Sequence, residues 1–244
     1  MKFSIVIPAH NEEDVIASTL IELGLALKEK FDYEIIVVDD HCSDKTVEIV
    51  QEIQQDNNRI NIVKNEKKGG FGMAVRCGLE NFTGDAVAIY MSDASDSPDD
   101  LISYFEEIDK GAECVFGSRF IRGSKVIDYP KHKFLLNRFV NFVIKLIFRH
   151  KYNDTTNAFK CYRKEVIEGC KPFISRHFNL TVELPLKAFI RGYKFKVIPI
   201  SWTNRAAGVS KLKLKEMGSR YFFMFVYCLM EKWLTGEDYK RDDK

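Results

Sequence analysis

The sequence lacks the residue spacings that build zinc sites and disulfide frameworks. No C-x-x-C pair occurs, and neither the six cysteines nor the five histidines recur at metal-binding intervals. These absences argue against a zinc site and indicate reduced, mostly structural thiols, as in cytosolic proteins. The residues concerned are Cys42, Cys77, Cys114, Cys161, Cys170 and Cys228, and His10, His41, His132, His150 and His177.

Long apolar runs and a strong net charge are also missing. The longest apolar stretch, residues 221–230, spans ten residues, about half of what a bilayer crossing needs. A net charge of +2, from 37 basic and 35 acidic residues, gives no general reason to expect nucleic-acid binding. The chain begins directly with a strand-like segment, so we expect no secretory signal and a cytoplasmic location.

The chain does contain ample apolar residues, and its strand-like and helix-like segments alternate. Over residues 3–117 this alternation predicts an α/β fold with a doubly wound, mostly parallel sheet and helices on both faces. The intervening helices have apolar residues at three- and four-residue spacing. The predicted strands are residues 3–7, 33–38, 60–64, 86–91 and 114–117.

Polar residues follow three of these strands directly. They form the segments 8–12, 39–44 and 93–100. Because such sheets bind ligands at the carboxyl ends of their strands, we expect all three segments to line one edge. Asp39 and Asp40 could accept hydrogen bonds from the base and ribose of a nucleotide.

The third segment, with the strand end before it, is the most informative, and we call residues 90–100 the aspartate loop. It has four aspartates within eight residues. Carboxylates this dense repel one another unless a cation neutralises them, which favours a hard divalent ion held together with phosphate oxygens. The alternative is a solvated turn, since Ser97-Pro98-Asp99-Asp100 is also a fair helix start.

Two further features have alternative interpretations. The glycine-rich segment 65–74 could offer backbone amides and two lysines to a phosphate, or be an ordinary turn. The apolar segments 134–151 and 221–230 suit amphipathic helices at a membrane interface or against a partner, or helices that cover the sheet. The tail, residues 236–244, is polar.

Together these motifs resemble the family 2 glycosyltransferases with a GT-A fold, most closely the branch of dolichyl- or polyprenyl-phosphate mannose synthases. The resemblance covers about residues 3–212, and seven motifs match it in order and spacing. They are residues 5–12, residues 37–46, residues 70–74 with Gly78, and residues 93–98, 117–119, 154–159 and 205–211.

The resemblance implies a nucleotide site and a metal site. The nucleotide would contact Pro8, His10, Glu12, Val38 and Asp40, with Asp39 close by. The diphosphate would be held through Mg²⁺ or Mn²⁺ by Asp93, Ala94 and Ser95.

Ser95 departs from the family pattern, which has a second aspartate at this place. We expect Asp96 to act as the second carboxylate ligand, with Ser95 contributing its hydroxyl or a water, because two carboxylates neutralise a divalent ion better than one. The alternative is that Asp93 coordinates alone. Arg119, Arg205 and Lys211 carry over as cations that face phosphates, although the last two also fit a solvated basic loop.

The resemblance implies an inverting, metal-dependent transfer of a hexose from GDP-mannose or a UDP-sugar to a polyprenyl phosphate, with the enzyme peripheral at the cytosolic membrane face. Transfer to a saccharide hydroxyl in glycan assembly is the alternative. It would need a carboxylate base, for which Asp154 and Glu183 are candidates, although Asp154 could instead cap a helix beginning at Thr155. A third possibility is a non-catalytic nucleotide-sugar-binding subunit.

The expected organisation is a catalytic domain followed by a helix and a tail. Residues 1–117 form the nucleotide-sugar half and residues 118–212 the acceptor half. Residues 213–235 form an amphipathic helix that associates with a membrane or a partner, before the tail of residues 236–244.

Overall fold

The computed structural model describes residues 1–93, 95–204 and 214–234, together with Asp238 and Lys240. The strands in these residues are β1 (Lys2–Ala9), β2 (Asp32–Asp39), β3 (Ile60–Lys64), β4 (Ala86–Ile89), β5 (Cys114–Ser118), β6 (Lys125–Ile127), β7 (Lys160–Arg163), β8 (Phe195–Pro199) and β9 (Ser201–Thr203). Seven of them form one sheet in the order β3-β2-β1-β4-β7-β5-β8, and β6 pairs with β9.

The helices between the strands cover both faces of this sheet. They are α1 (Ile16–Leu27), α2 (Thr46–Asp56), α3 (Phe71–Asn81), α4 (Pro98–Asp109), α5 (Lys131–Phe148), α6 (Lys164–Gly169), α7 (Leu180–Ile190) and α8 (Leu214–Leu234). The predicted α/β class with a mostly parallel sheet is therefore confirmed.

The central strand β1 shows why the sequence forms this sheet. Residues 3–9 are all buried, because alternate side chains enter cores on opposite faces. Phe3, Ile5 and Ile7 pack in the core that includes α1 and α4, while Val6 packs in the core with α3. A Cβ on Gly78 of α3 would lie 2.3 Å from Cγ1 of Val6, so only glycine allows this helix to approach the strand.

The sheet contains one antiparallel strand that the alternating pattern of residues 3–117 did not include. β7 lies between β4 and β5 and runs antiparallel to both of them. β4 and β5 are therefore not paired with each other, and β5 pairs in parallel with β8. Phe159, directly before this strand, packs against Tyr90 at the start of the aspartate loop, with ring centroids 5.4 Å apart.

The C-terminal helices form a third core of their own. Ile144 and Phe148 of α5 pack with Val182 and Leu186 of α7 and with Met224 of α8. Many apolar side chains on the outer surfaces of α5 and α8 remain exposed. Within the described residues, no helix combines the length and the apolar content that crossing a bilayer requires.

Candidate active site

The loops after β1, β2 and β4 meet at one edge of the sheet, as their positions after neighbouring parallel strands require. The amide of Asp40 donates to the carbonyl of Ala9 at 2.8 Å. Nδ1 of His10 lies 2.6 Å from the carbonyl oxygen of Asp40, and the hydroxyl of Ser92 lies 3.4 Å from the carbonyl oxygen of Pro8. The three polar segments thus form a continuous surface.

Asp40 fixes the shape of this surface. It is 6% exposed, and its two carboxylate oxygens accept hydrogen bonds from Nδ2 of Asn65 and from the amide of Gly70, each at 2.8 Å. Gly70 has φ of 141°, and a Cβ there would lie 2.8 Å from the carbonyl oxygen of Arg176. The Gly70 amide is thus held by a carboxylate inside a packed turn, which favours the ordinary-turn interpretation over a phosphate cradle at this amide.

The other residues of the predicted nucleotide site fall into two groups. The side chains of Pro8 and Val38 are buried in the sheet, so a ligand would reach only their backbone. His10 is exposed, and Glu12 and Asp39 are half-buried; Oδ1 of Asp39 accepts a hydrogen bond from the amide of Cys42 at 2.8 Å. Nucleotide contact by all of these residues stays a prediction.

The aspartate loop buries all three of its predicted metal ligands, including Ser95, which is 6% exposed. Asp93 is 8% exposed and Asp96 is 5% exposed. Oδ1 of Asp93 accepts from the amide of Ser95 at 3.1 Å, which folds the loop back on itself. The loop then enters α4, where the hydroxyl of Ser97 accepts from the amide of Asp99 at 3.2 Å. The helix start predicted at Ser97 therefore exists alongside the buried carboxylates.

Asp96 has the electrostatic character of a cation ligand. Burial, reinforced by the negative charge of Asp93, raises the pKa of Asp96 to about 8. Its Oδ2 atom is buried and has no hydrogen-bond partner among the described residues. An orphaned, buried carboxylate oxygen beside a second carboxylate fits a divalent cation.

No group of three His, Cys, Asp or Glu side chains that could hold a metal converges within the described part of the chain. A metal bound by Asp93 and Asp96 would therefore take its remaining ligands from water or substrate, which is common for Mg²⁺.

Arg119 is bound to the protein more tightly than the sequence suggested. Its amide and its Nε atom donate to Oδ2 of Asp154 at 3.0 and 2.8 Å, and its Nη2 atom donates to Oδ1 at 2.7 Å. Burial alone would lower the pKa of Arg119, but the paired carboxylate outweighs that effect and raises it. Arg119 is thus a fixed positive charge.

The two candidate general bases are poorly placed to accept a proton from an acceptor. Asp154 and Glu183 are both completely buried. Arg119 occupies both oxygens of Asp154, and the carboxylate of Glu183 accepts from the amides of Ile174 and Ser175 and pairs with Lys187 at 2.9 Å. The alternative role of Asp154, capping a helix that begins at Thr155, is wrong, because residues 155 and 156 form a turn.

An aromatic cluster, which comprises Phe120, Tyr129, Phe134 and Trp202, lies beside Arg119. The Arg119 guanidinium carbon lies 5.3, 5.6 and 5.8 Å from the ring centroids of Phe120, Tyr129 and Trp202. Trp202 also forms a backbone bridge with Asp96, and Phe134 lies at the start of α5 with 39% of its surface exposed. The cluster therefore connects the aspartate loop to the exposed apolar face of α5.

Sequence reasoning missed two basic residues near this cluster. Arg138 of α5 lies over the Phe120 ring at 4.7 Å, and its Nη1 atom donates to the carbonyl of Asn153 at 3.3 Å. Lys160 is buried in β7. A lysine in the apolar context Phe159-Lys160-Cys161-Tyr162 is a signal that could have singled it out. Arg205, Lys211 and Ala94, which were also predicted at the site, lie outside the described residues.

Comparisons with known protein sequences agree with one another on the family of this chain. The sequence model described as Glycosyl transferase family 2 matches residues 4–170. A dolichol-phosphate mannosyltransferase of Pyrococcus furiosus is 30% identical over 235 residues, which are 96% of this chain and 64% of that protein. A polyprenol monophosphomannose synthase of Mycolicibacterium smegmatis is 27% identical over 214 residues, covering 85% of this chain and 80% of the relative.

Solved structures agree on the fold. Glucosyl-3-phosphoglycerate synthase from Mycobacterium tuberculosis, in complex with Mn²⁺, UDP-glucose and phosphoglyceric acid, matches with a TM-score of 0.72 and 18% identity. The match covers 93% of this chain and 79% of that structure. This likeness confirms the predicted GT-A fold.

Proposed function

The chain belongs to glycosyl transferase family 2, as its motifs predicted, and on that premise we propose that it transfers a hexose from GDP-mannose or a UDP-sugar to a polyprenyl phosphate. The reaction is proposed to depend on a divalent metal, to invert the anomeric centre, and to take place at the cytosolic face of a membrane. The two relatives named for polyprenol- and dolichol-phosphate mannosylation support this acceptor.

One observation carries the catalytic part of the proposal: Asp93 and Asp96 are buried together, and Asp96 has an oxygen without a partner in the described chain. Mg²⁺ or Mn²⁺ at these carboxylates would stabilise the negative charge of the departing diphosphate. The solved relative that holds Mn²⁺ and UDP-glucose supports a divalent ion without choosing between the two metals. Asp39 and Asp40 lie at the end of β2, which β1 separates from β4, and the nucleoside of the same donor is proposed to bind there.

A phosphate acceptor suits the described residues better than a saccharide hydroxyl. A phosphate monoester is ionised near neutral pH, so it can attack the anomeric carbon without a base. A hydroxyl would need a carboxylate within reach, and both candidates, Asp154 and Glu183, are buried and already hydrogen-bonded. The fixed charge of Arg119 offsets repulsion between the two anionic substrates.

The outer surfaces of α5 and α8 support a lipid acceptor. An apolar face of this extent, with basic residues beside it, is typical of helices that lie in a membrane interface. The exposed apolar residues are Phe134, Leu135, Leu136, Phe139, Phe142, Leu146 and Ile147 on α5, and Phe222, Phe223, Val226, Met230, Trp233 and Leu234 on α8. The neighbouring basic residues on α5 include Lys131, Lys133 and Lys145.

We also propose that three segments of the chain have the separate functions that the motifs predict. Residues 1–117 bind the nucleotide sugar, residues 118–212 receive the acceptor, and residues 213–235 associate with a membrane or a partner. The aromatic cluster fits this division, since it joins the aspartate loop to α5.

The deciding experiment screens the purified protein against a panel of nucleotide sugars, with Mg²⁺ or Mn²⁺ and polyprenyl phosphate. Donor hydrolysis and radiolabelled lipid product are both measured. Asp93→Ala should abolish both signals, while Asp99→Ala, an exposed aspartate of the same loop, should leave them nearly unchanged.

Three outcomes contradict parts of the proposal. Equal turnover by wild type and Asp93→Ala contradicts the metal assignment. Label that stays with an oligosaccharide in water, rather than entering organic solvent, indicates the saccharide acceptor. No turnover of any donor by either protein indicates a nucleotide-sugar-binding subunit.

A further inference from the structure

Lys160 is a buried cation beside the candidate active site. The proposed reaction gives it no role. It lies on β7, between β4 and β5, and is 1% exposed. Its Nζ atom donates to three backbone carbonyls, those of Thr155 at 3.0 Å, Thr181 at 3.2 Å and Asn157. These three bonds use all the donors of a lysine ammonium.

Burying the charge of Lys160 costs free energy. Burial lowers the pKa of Lys160 to about 7, and the nearby negative charge of Asp154 offsets only part of that effect. Among the described residues, no carboxylate forms an ion pair with Lys160. An apolar side chain of the same length would avoid this penalty but would leave the three carbonyls without their donor, so what the lysine supplies here is the set of bonds that holds these backbone segments together.

The three carbonyls belong to two different parts of the fold. Those of Thr155 and Asn157 lie in the turn of residues 154–157, and that of Thr181 lies in the first turn of α7. The ammonium therefore holds the turn against the helix. The amide of Asn157 also donates to the carbonyl of Asp154 at 3.0 Å, which closes the turn on itself.

A short series of contacts leads from this turn to the aspartate loop. The carboxylate of Asp154 accepts three hydrogen bonds from Arg119. The guanidinium of Arg119 lies over the ring of Trp202, whose backbone bridges to Asp96. Displacement of the turn would therefore change where Arg119 points relative to the metal ligands.

We propose that Lys160 is a positioning residue for glycosyl transfer, because it fixes the 154–157 turn on α7 and thereby sets the orientation of Arg119. Lys160 itself is shielded from solvent and touches neither substrate. The inference rests on the proposed function, since transfer is the reaction whose rate reports the positioning.

The test compares Lys160→Met with a matched variant, Lys187→Met. Methionine keeps the length of the side chain and removes the three donors. Lys187 is buried as well; it lies on α7, pairs with Glu183 and donates to the carbonyl of Pro172. Both variants lose a buried ammonium, but only Lys160 bonds to the turn that carries Asp154.

We expect Lys160→Met to lower kcat on the order of tenfold to a hundredfold, because small displacements of a positioned group have effects of that size. KM for the donor should stay nearly constant. Lys187→Met should lower the unfolding temperature at least as much and leave kcat nearly unchanged. A role in stability alone would produce the same kcat for both variants at a temperature where both are folded.

The outcomes separate this inference from the function on which it rests. Wild type that turns over no donor removes both of them. Active wild type with kcat of Lys160→Met within about twofold, or with an equal loss in Lys187→Met, overturns the inference alone. If Lys160→Met does not fold, Lys160→Gln, which keeps one amide donor group, is measured under the same criteria and should show a smaller loss of kcat of the same kind.

Discussion

The buried carboxyl group of Asp96 should make the metal-free protein less stable as the pH rises. Its pKa is about 8 in the folded protein, against an ordinary value of 3.8. Between these values the folded state holds a proton that the unfolded state has released, so the free energy of unfolding falls with increasing pH. Asp96→Asn removes the titration and should remove this contribution.

The size of the effect follows from the linkage relation. One proton contributes about 1.4 kcal/mol per pH unit, so the wild type should lose up to about 4 kcal/mol between pH 4 and pH 7 that Asp96→Asn does not lose. An asparagine amide that finds no partner costs about 1–3 kcal/mol at every pH. We therefore expect a net gain of roughly 1–3 kcal/mol for Asp96→Asn at pH 7, and a gain that grows with pH.

The assay is urea unfolding at several pH values from 5 to 8 in the presence of a chelator. Asp99→Asn serves as the control, because it makes the same charge change at an exposed position of the same loop. Added Mn²⁺ should then stabilise the wild type and not Asp96→Asn, since only a ligand that binds the folded state raises its stability. Stability curves of wild type and Asp96→Asn that stay parallel over this pH range would refute the reasoning.

Three further predictions concern the ion pair of Arg119 with Asp154, the hydrogen bonds of the buried Glu34, and the apolar face of α5. Asp154→Asn leaves the buried charge of Arg119 without its carboxylate and should cost about 3–5 kcal/mol in urea unfolding; a cost under about 1 kcal/mol would contradict the pairing. Burial would raise the pKa of Glu34, but hydrogen bonds to it lower that pKa to about 2 from 4.5. Glu34→Gln should therefore lose about 2 kcal/mol at pH 7, after allowance for solvent screening, and nothing near pH 2. Leu135→Glu on α5 should weaken sedimentation with anionic vesicles, whereas Leu25→Glu on α1, with 64% against 67% exposure, should not; equal binding by both contradicts docking through α5.

The strands of the first half could be predicted because their patterns are local. Residues 3–7 and 33–38 are runs of apolar and β-branched side chains, and both strands extend only one or two residues further at each end. The strand predicted at residues 60–64 has the same bounds in the structure. Runs of this kind are buried on both faces and so carry a strong signal.

The position of β7 could not be predicted, because its pairing is set by distant residues. The strand has four residues, and one of them is a lysine. It pairs antiparallel with β4 and β5, although more than 40 residues separate it from each of them in sequence. No local periodicity reveals such a partner, so the sequence predicted β4 and β5 as parts of one parallel series.

The site shows the same division between local and distant causes. Where Asp40, Asp93 and Asp96 lie follows from the strand that precedes each of them. The orientation of Arg119 depends on its hydrogen bonds to Asp154, which is 35 residues away in sequence. The sequence therefore predicted the two residues as independent catalytic groups. Their pairing shows that Arg119, which was expected as a cation facing phosphates, is held in place by a carboxylate.

The buried charges of the site suggest an order of binding. Asp93, Asp96 and Asp154 oppose Arg119 and Lys160, and each of these side chains is 8% exposed or less. At about pH 6, below both the raised pKa of Asp96 (about 8) and the lowered pKa of Lys160 (about 7), Asp96 is protonated and Lys160 is charged, so these five groups sum to zero. In the proposed reaction, a divalent ion that displaces this proton would bring the sum to +1, in a region where water screens little. The site would then attract the diphosphate of the donor only after the metal has bound, so donor affinity should fall sharply when a chelator removes the metal.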